Sequence, residues 1–243
     1  MTSPSISPRH SYGIRYDIGM SQEQDVIAFW DSTFSSQEPF EVKKSEIMVD
    51  DDLTKDLLFV GQNAHRIIDV GCGLGDLLIT LSLLNDGKND LLGLDASSSA
   101  IKIAEASALK SKAGRLRFSL GGLDALQKID SGSVDGIISS NFLDVIPLTL
   151  AHRFLKEMSR LIEKGGLFLL KINFFIDPST LGNPRYRLAE EGVFLDGVLR
   201  SNNQTTEAWL GFLGNDFTLL KQGEFARLGP TAPRDRLFLL KKK

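Results

Sequence analysis

One cysteine, Cys72, stands among 243 residues, so no internal disulfide framework can form. That usage fits a reducing compartment, and a cytoplasmic location is the expectation. The three histidines, His10, His65 and His152, are scattered, and no Cys/His cluster has metal-ligand spacing, so no metal is expected. Long hydrophobic runs are also missing. The best, near residues 77–84 and 166–176, are too short or too interrupted to span a bilayer, and no membrane partner is expected. Residues 1–13 hold Pro4 and Pro8 and no hydrophobic stretch, which does not read as a secretory signal. No basic excess exists either: the net charge is −3, so nothing draws the whole surface to nucleic acid. The charge is uneven, with five Lys+Arg against eleven Asp+Glu in residues 1–64 and 23 against 20 in the rest.

What is present is ordinary globular material, 42% hydrophobic and 24% charged, in a chain long enough for a full core. After a dozen or so residues expected to be a flexible lead, Ser21 and Gln24 make a capping box. Val26, Ile27, Trp30 and Phe34 then fall on one helical face. A second helix is expected after Asp50, turning Leu53, Leu57 and Val60 inward and stopping at Gly61. From His65 the pattern alternates. Strands are expected at 67–70, 91–95, 116–120, 134–140 and 167–175, with helices at about 76–85, 97–111, 124–129 and 148–163. Such alternation implies right-handed crossovers and a parallel sheet covered by helices on both faces. Residues 177–203 read as a polar interruption; a helix near 204–213 and strands near 217–223 and 235–241 follow. The last two strands flank Gly229-Pro230-Thr231-Ala232-Pro233 and make an antiparallel hairpin. The fold class is therefore α/β, a Rossmann-like three-layer α/β/α sandwich with a mostly parallel seven-stranded sheet.

The most informative stretch is Arg66-Ile-Ile-Asp-Val-Gly-Cys-Gly-Leu-Gly-Asp76. It joins a short apolar strand containing Asp69 to glycines at 71, 73 and 75 and a helix opening at Asp76. Glycine permits positive φ and close approach of a ligand to the main chain, and the helix start offers unpaired N–H groups. Three readings compete. The dinucleotide fingerprint G-x-G-x-x-G matches Gly71 and Gly73, but the third glycine falls at 75, and an acid at 76 repels a pyrophosphate. A plain Gly-rich turn is the second. The third is D-x-G-x-G-x-G, which resembles the first motif of class I S-adenosylmethionine (SAM)-dependent methyltransferases of the small-molecule type. In that family the last strand inserts antiparallel beside the fifth, as the tail here suggests, and the resemblance covers about residues 65–243.

The resemblance implies SAM as cofactor and S-adenosylhomocysteine as product, with Asp69, Gly71, Cys72, Gly73 and Gly75 around the cofactor. Cys72 itself reads as a small buried hydrophobe and not a nucleophile. Asp95 ends the second strand, with Ala96 beside it, where a carboxylate can accept both ribose hydroxyls of SAM or NAD; capping the helix from Ser97 is its plainer role. Asp124 and Ala125 match by type the pair placed near adenine, although Asp124 can simply cap a short helix. Ser140 ends the fourth strand beside the transferable methyl. The next residues, Asn141-Phe142-Leu143-Asp144, depart from the Asn/Asp-Pro-Pro-Tyr of amino-methylating enzymes, and no catalytic base is assigned. Asn141 either lines the pocket or satisfies its own loop.

Residues 1–64 are expected as a helical cap or lid over a methyltransferase domain at 65–243, with a substrate-side insertion at about 177–206. Tyr12, Tyr16, Phe29 and Trp30 supply aromatics for the cap; aromatics at helical spacing are as often core. Arg185 and Arg187 can clamp an anion, but a surface loop is favoured. Arg153, Lys156, Arg160 and Lys164 read as a solvated helix face, and Lys241-Lys242-Lys243 as a soluble tail. The function expected is methyl transfer from SAM to a small-molecule acceptor by in-line displacement. A protein side chain as acceptor, or a nucleoside-cofactor (NAD-type) binding protein or oxidoreductase, remain the alternatives. The acceptor and the oligomeric state are not read from the sequence.

Overall fold

Residues 20–177, 179, 181–190, 192–226 and 233–243 are described by a computed structural model; of Met20 and Ser21 only the backbone is described. The flexible lead, Tyr12 and Tyr16, the capping role of Ser21 and most of the Gly229–Pro233 connection lie outside these residues.

The central strand β1 (Arg66–Val70) is buried along almost its whole length because it has neighbours on both sides, β2 (Asp90–Asp95) and β4 (Val134–Ser140). With β3 (Leu116–Leu120), β5 (Ile162–Ile172), β9 (Phe217–Phe225) and β10 (Asp235–Lys242) it forms a seven-stranded sheet in the order β3-β2-β1-β4-β5-β10-β9. The first five strands are parallel; β10 is antiparallel to β5 and to β9. The expected α/β sandwich with a terminal hairpin is the architecture observed.

Side-chain alternation sends each strand's residues to two cores. Ile68, Val70, Phe168, Leu170, Phe238 and Leu240 join one, under α6 (Leu148–Leu161) and α7 (Thr206–Leu213). Ile67, Leu167, Leu169, Leu237 and Leu239 join the other, under α2 (Asp52–Asn63) and α3 (Asp76–Leu84). In α6, Leu150, Ala151, Phe154, Leu155, Met158 and Leu161 recur every three or four residues and are buried. Of its basic residues, Arg160 is structural, holding Glu157 and the carbonyls of Leu126 and Ile129 at 2.7–2.9 Å. Arg153, Lys156 and Lys164 are exposed.

Several expected boundaries move. Gly61 does not stop α2, which runs to Asn63; it is buried, and a Cβ there would meet Leu81 at 2.4 Å. Close helix packing, not termination, requires this glycine. The expected 148–163 helix ends at Leu161, and β5 begins directly at Ile162. That strand stops at Ile172 and not at 175, because the next N–H, of Asn173, donates to the Asp144 carboxylate at 3.0 Å. The short helix α5 is Leu123–Gln127.

The larger correction concerns residues 177–203. They contain a three-stranded antiparallel sheet of β6 (Tyr186–Ala189), β7 (Gly192–Leu195) and β8 (Val198–Ser201). Asp196 and Gly197, with φ of 52° and 83°, form the two-residue turn between β7 and β8, a hairpin geometry that Asp-Gly favours. Helix α1 (Met20–Ser35) lies between this small sheet and α4 (Ser98–Ser111).

Candidate active site

The turn after β1 is held by its own main chain. Gly71 and Cys72 both donate to the Leu94 carbonyl, at 2.8 and 3.0 Å, and Gly75 donates to Cys72 O at 2.9 Å. All three glycines have positive φ, but their reasons differ. A Cβ on Gly71 would strike Phe142 at 2.3 Å, and one on Gly75 would strike Phe118 at 2.4 Å. At Gly73 the nearest atom is Phe34 Cζ, 3.6 Å away. Gly71 and Gly75 are required by packing; Gly73 borders open space.

That space is a cavity of about 680 Å³. Its floor is the loop with Asp69, Asp95, Ala96 and Ser97, at or just past the carboxyl ends of the parallel strands β1 and β2. Ser140, Asn141, Phe142 and Lys171 form a second side, and Val26, Ile27, Trp30 and Phe34 of α1 a third. The expected helical face of α1 therefore meets the cavity. Phe29 does not; its ring lies 3.4 Å from the Arg200 guanidinium on β8.

Asp95 accepts from Gly73 N–H at 2.9 Å and Ser97 N–H at 2.8 Å. Burial nevertheless raises its pKa, against those hydrogen bonds. The helix α4 is capped not by Asp95 but by Ser97, whose Oγ accepts from Ala100 N–H at 3.0 Å. Asp69 is buried more deeply. Burial pushes its carboxyl well above the usual range, with the charges of Asp76 and Asp95 adding to the effect. Its Oδ1 has no hydrogen-bond partner among the described residues. Cys72 is buried, and burial followed by the neighbouring acids pushes its thiol well up, so it is not a thiolate.

A smaller recess of about 30 Å³ adjoins the floor, lined by Leu94, Asp95, Ala96, Gly121, Gly122 and Leu126 among others. Asp124 lines neither space. Its side chain is 74% exposed and pairs with Lys128 at 3.4 Å. Ala125 packs over Gly121, where an added Cβ would meet its methyl at 2.4 Å. Arg185 and Arg187 are exposed, the first paired with Asp196 and the second 4.7 Å over the Phe194 ring, and neither lines the cavity.

Two features escaped the sequence reading. Lys171 and Asp235 form an ion pair at 2.8 Å with side chains 3% and 7% exposed, and the lysine also bonds Asn141. Asn141, at φ 50°, is thus held in place at the cavity edge. A lone lysine inside the apolar run 166–176 was the available signal. The neighbouring Asp144 is buried and outside the cavity lining, its carboxylate accepting from Asn173 N and Nδ2 at 3.0 and 2.7 Å. The second feature is Asp31 of α1, which reaches Ser97 at the floor.

The residues present suit SAM on two counts. An unsatisfied, buried carboxylate at Asp69 meets the need of a cationic amino acid portion, and bare main chain at Gly73 leaves room for a ligand to lie against it.

Residues 67–166 match the family model described as a methyltransferase domain. A sequence search of curated proteins gives no match. Among solved structures, the chain is similar to a Pyrococcus horikoshii protein at 16% identity and a TM-score of 0.60, covering 79% of this chain and 88% of that one. It is also similar to a putative SAM-dependent methyltransferase from Listeria monocytogenes (16% identity, 78% and 97% coverage, TM-score 0.58). A SAM-dependent methyltransferase from Methanosarcina mazei gives 18% identity, 74% and 93% coverage and a TM-score of 0.57. At these identities the structures establish the shared fold. The family match falls on the strands that carry the glycine loop, so residues 67–166 are a methyltransferase domain, with SAM as the cofactor.

Proposed function

We propose that the acceptor is a small molecule with an apolar body, methylated in the cavity between the glycine loop and α1. The observation carrying this reading is the wall made by Val26, Ile27, Trp30 and Phe34 opposite Gly73. A space of about 680 Å³ lies within the range of small-ligand sites, and α1 forms one side of it. In this reading Asp69 takes the cationic amino acid end, Asp95 and Ala96 the ribose, and Gly71, Cys72 and Gly73 the backbone approach, with Gly75 shaping the loop from behind against Phe118. Gly121, Gly122 and Ala125 border the base, with Asp124 contributing only at the rim; Ser140 lies on the methyl side.

SAM supplies a methyl group on a good leaving group, so the protein's task is alignment and exclusion of water. Holding two reactants in line is worth up to about 7–11 kcal/mol. The α1 wall keeps solvent off the reacting end, while Asn141, fixed by Lys171, shapes the acceptor side. The lid role of residues 1–64, the insertion as a support for it and a cytoplasmic setting belong to the same proposal.

The test is to incubate the enzyme with methyl-labelled SAM and a cell extract separated into small-molecule and macromolecular fractions. Label in the small-molecule fraction is expected; label entering only protein or nucleic acid overturns the reading.

A further inference from the structure

Helix α1 is fastened to the cofactor floor through one side chain. Asp31 Oδ1 accepts from Ser97 Oγ at 2.7 Å and from Ser99 N–H at 3.0 Å. Ser97 in turn donates its own N–H to Asp95 Oδ1 at 2.8 Å, and Asp95 Oδ2 accepts from Gly73 N–H at 2.9 Å. A continuous chain of hydrogen bonds therefore runs from α1 through Ser97 and Asp95 to the glycine loop. One turn before and one after Asp31, Ile27 and Phe34 line the cavity, and Trp30 beside it does too. A carboxylate at the first N–H groups of α4 also complements the helix dipole.

We propose that Asp31 is a positioning residue for the cofactor: by docking α1 on Ser97 it orients the Asp95 carboxylate and closes the apolar wall, so that α1 docking and cofactor binding are one coupled event. This rests on the reading of Asp95 and the glycine loop as the nucleoside site. No contact of Asp31 with the ligand is required. A side chain that only stabilised the fold would lower the melting temperature equally with and without ligand. A positioning residue changes the difference between the two.

The experiment uses the full chain and S-adenosylhomocysteine, comparing wild type, Asp31→Ala, Asp31→Asn and Asp95→Ala by calorimetry and thermal unfolding. Asp31→Ala is expected to weaken binding about tenfold and to shrink the ligand-induced rise in Tm. Asp31→Asn, which keeps an acceptor oxygen of the same shape, is expected to fall between it and wild type, and it carries the test should the alanine variant fail to fold. Trp30 fluorescence should respond to ligand in wild type and respond less in Asp31→Ala. Binding by both Asp31 variants within twofold of wild type, while Asp95→Ala binds weakly, overturns the coupling and leaves the site reading standing. Equal binding by Asp95→Ala and wild type overturns the site reading itself.

Discussion

Gly73 N–H points at Asp95 Oδ2 from 2.9 Å, joining the loop after the first strand to the end of the second. The loop glycine and the strand-end acid are thus one unit of structure. A substitution at either is felt at both, and the expected effects can be separated by what each side chain meets.

Gly73→Val is expected to abolish S-adenosylhomocysteine binding and leave a folded protein, since its Cβ enters open space. The φ of 51° adds a strain of about 1–2 kcal/mol. Gly75→Val, whose Cβ strikes Phe118 at 2.4 Å, is expected to lose about 3 kcal/mol or more of stability. Calorimetry and urea unfolding of the pair distinguish these outcomes; comparable unfolding midpoints for the two variants would contradict the assignment.

Asp95→Ala is expected to weaken nucleoside binding by ~1.5–3 kcal/mol, the range for hydrogen bonds to a charged group. Loss of stability with unchanged affinity would make Asp95 an internal brace only.

Asp69 combines the two kinds of effect with opposite sign. Its folded pKa is raised, so its ionisation opposes folding: stability is greatest below the ordinary carboxylate value and declines as pH rises through the folded pKa. Asp69→Asn removes that penalty. The ligand-free variant is expected to melt higher, by about 2–4 °C per kcal/mol gained, yet to bind S-adenosylhomocysteine more weakly. In wild type, a cationic ligand favours the ionised carboxyl, so affinity should rise with pH through the same window. Calorimetry in buffers of different ionisation enthalpy would detect the released proton, and a pH-independent affinity would refute the role.

Lys171→Met should remove the cation 2.8 Å from the buried Asp235 carboxylate and destabilise the protein by up to about 3–5 kcal/mol. The double replacement Lys171→Met with Asp235→Leu is expected to recover most of that loss. Recovery of stability without recovery of methyl transfer would assign the pair to the acceptor side of the cavity.

Periodicity and glycine spacing made the central sheet legible. Ile67, Ile68 and Val70 beside a glycine turn could only be a buried strand, and the Asp76 helix start followed from Gly75. The Asp69 and Asp95 positions were legible for the same reason. The small sheet was not, although Asp196-Gly197 carried a hairpin signal; the polar residues around it obscured short strands such as Val193–Phe194. Asp144 and Asp31 were illegible for a different reason: each acts through partners distant in sequence, Asn173 and Ser97, and local pattern holds no trace of such pairings. Lys171 marked itself by type but not by partner, since Asp235 lies in another strand.

Asn203 closes the neck of the insertion. Its Oδ1 accepts from Ile176 N–H and its Nδ2 donates to Ile176 O, each at 2.9 Å, clasping the chain where it leaves and rejoins the main body. Between those residues the small sheet forms a cassette that is itself anchored: Phe194 and Leu199 are buried in the core shared with α6 and α7, and Asn202 donates to the carbonyls of Leu143 and Ile146. Because Arg200 of that cassette underlies Phe29 of α1, the cassette sets the seat of the cavity's apolar wall without lining the cavity. Substitutions in the cassette are therefore expected to shift the apolar wall through α1 while leaving the loop at Gly71–Gly75 in place.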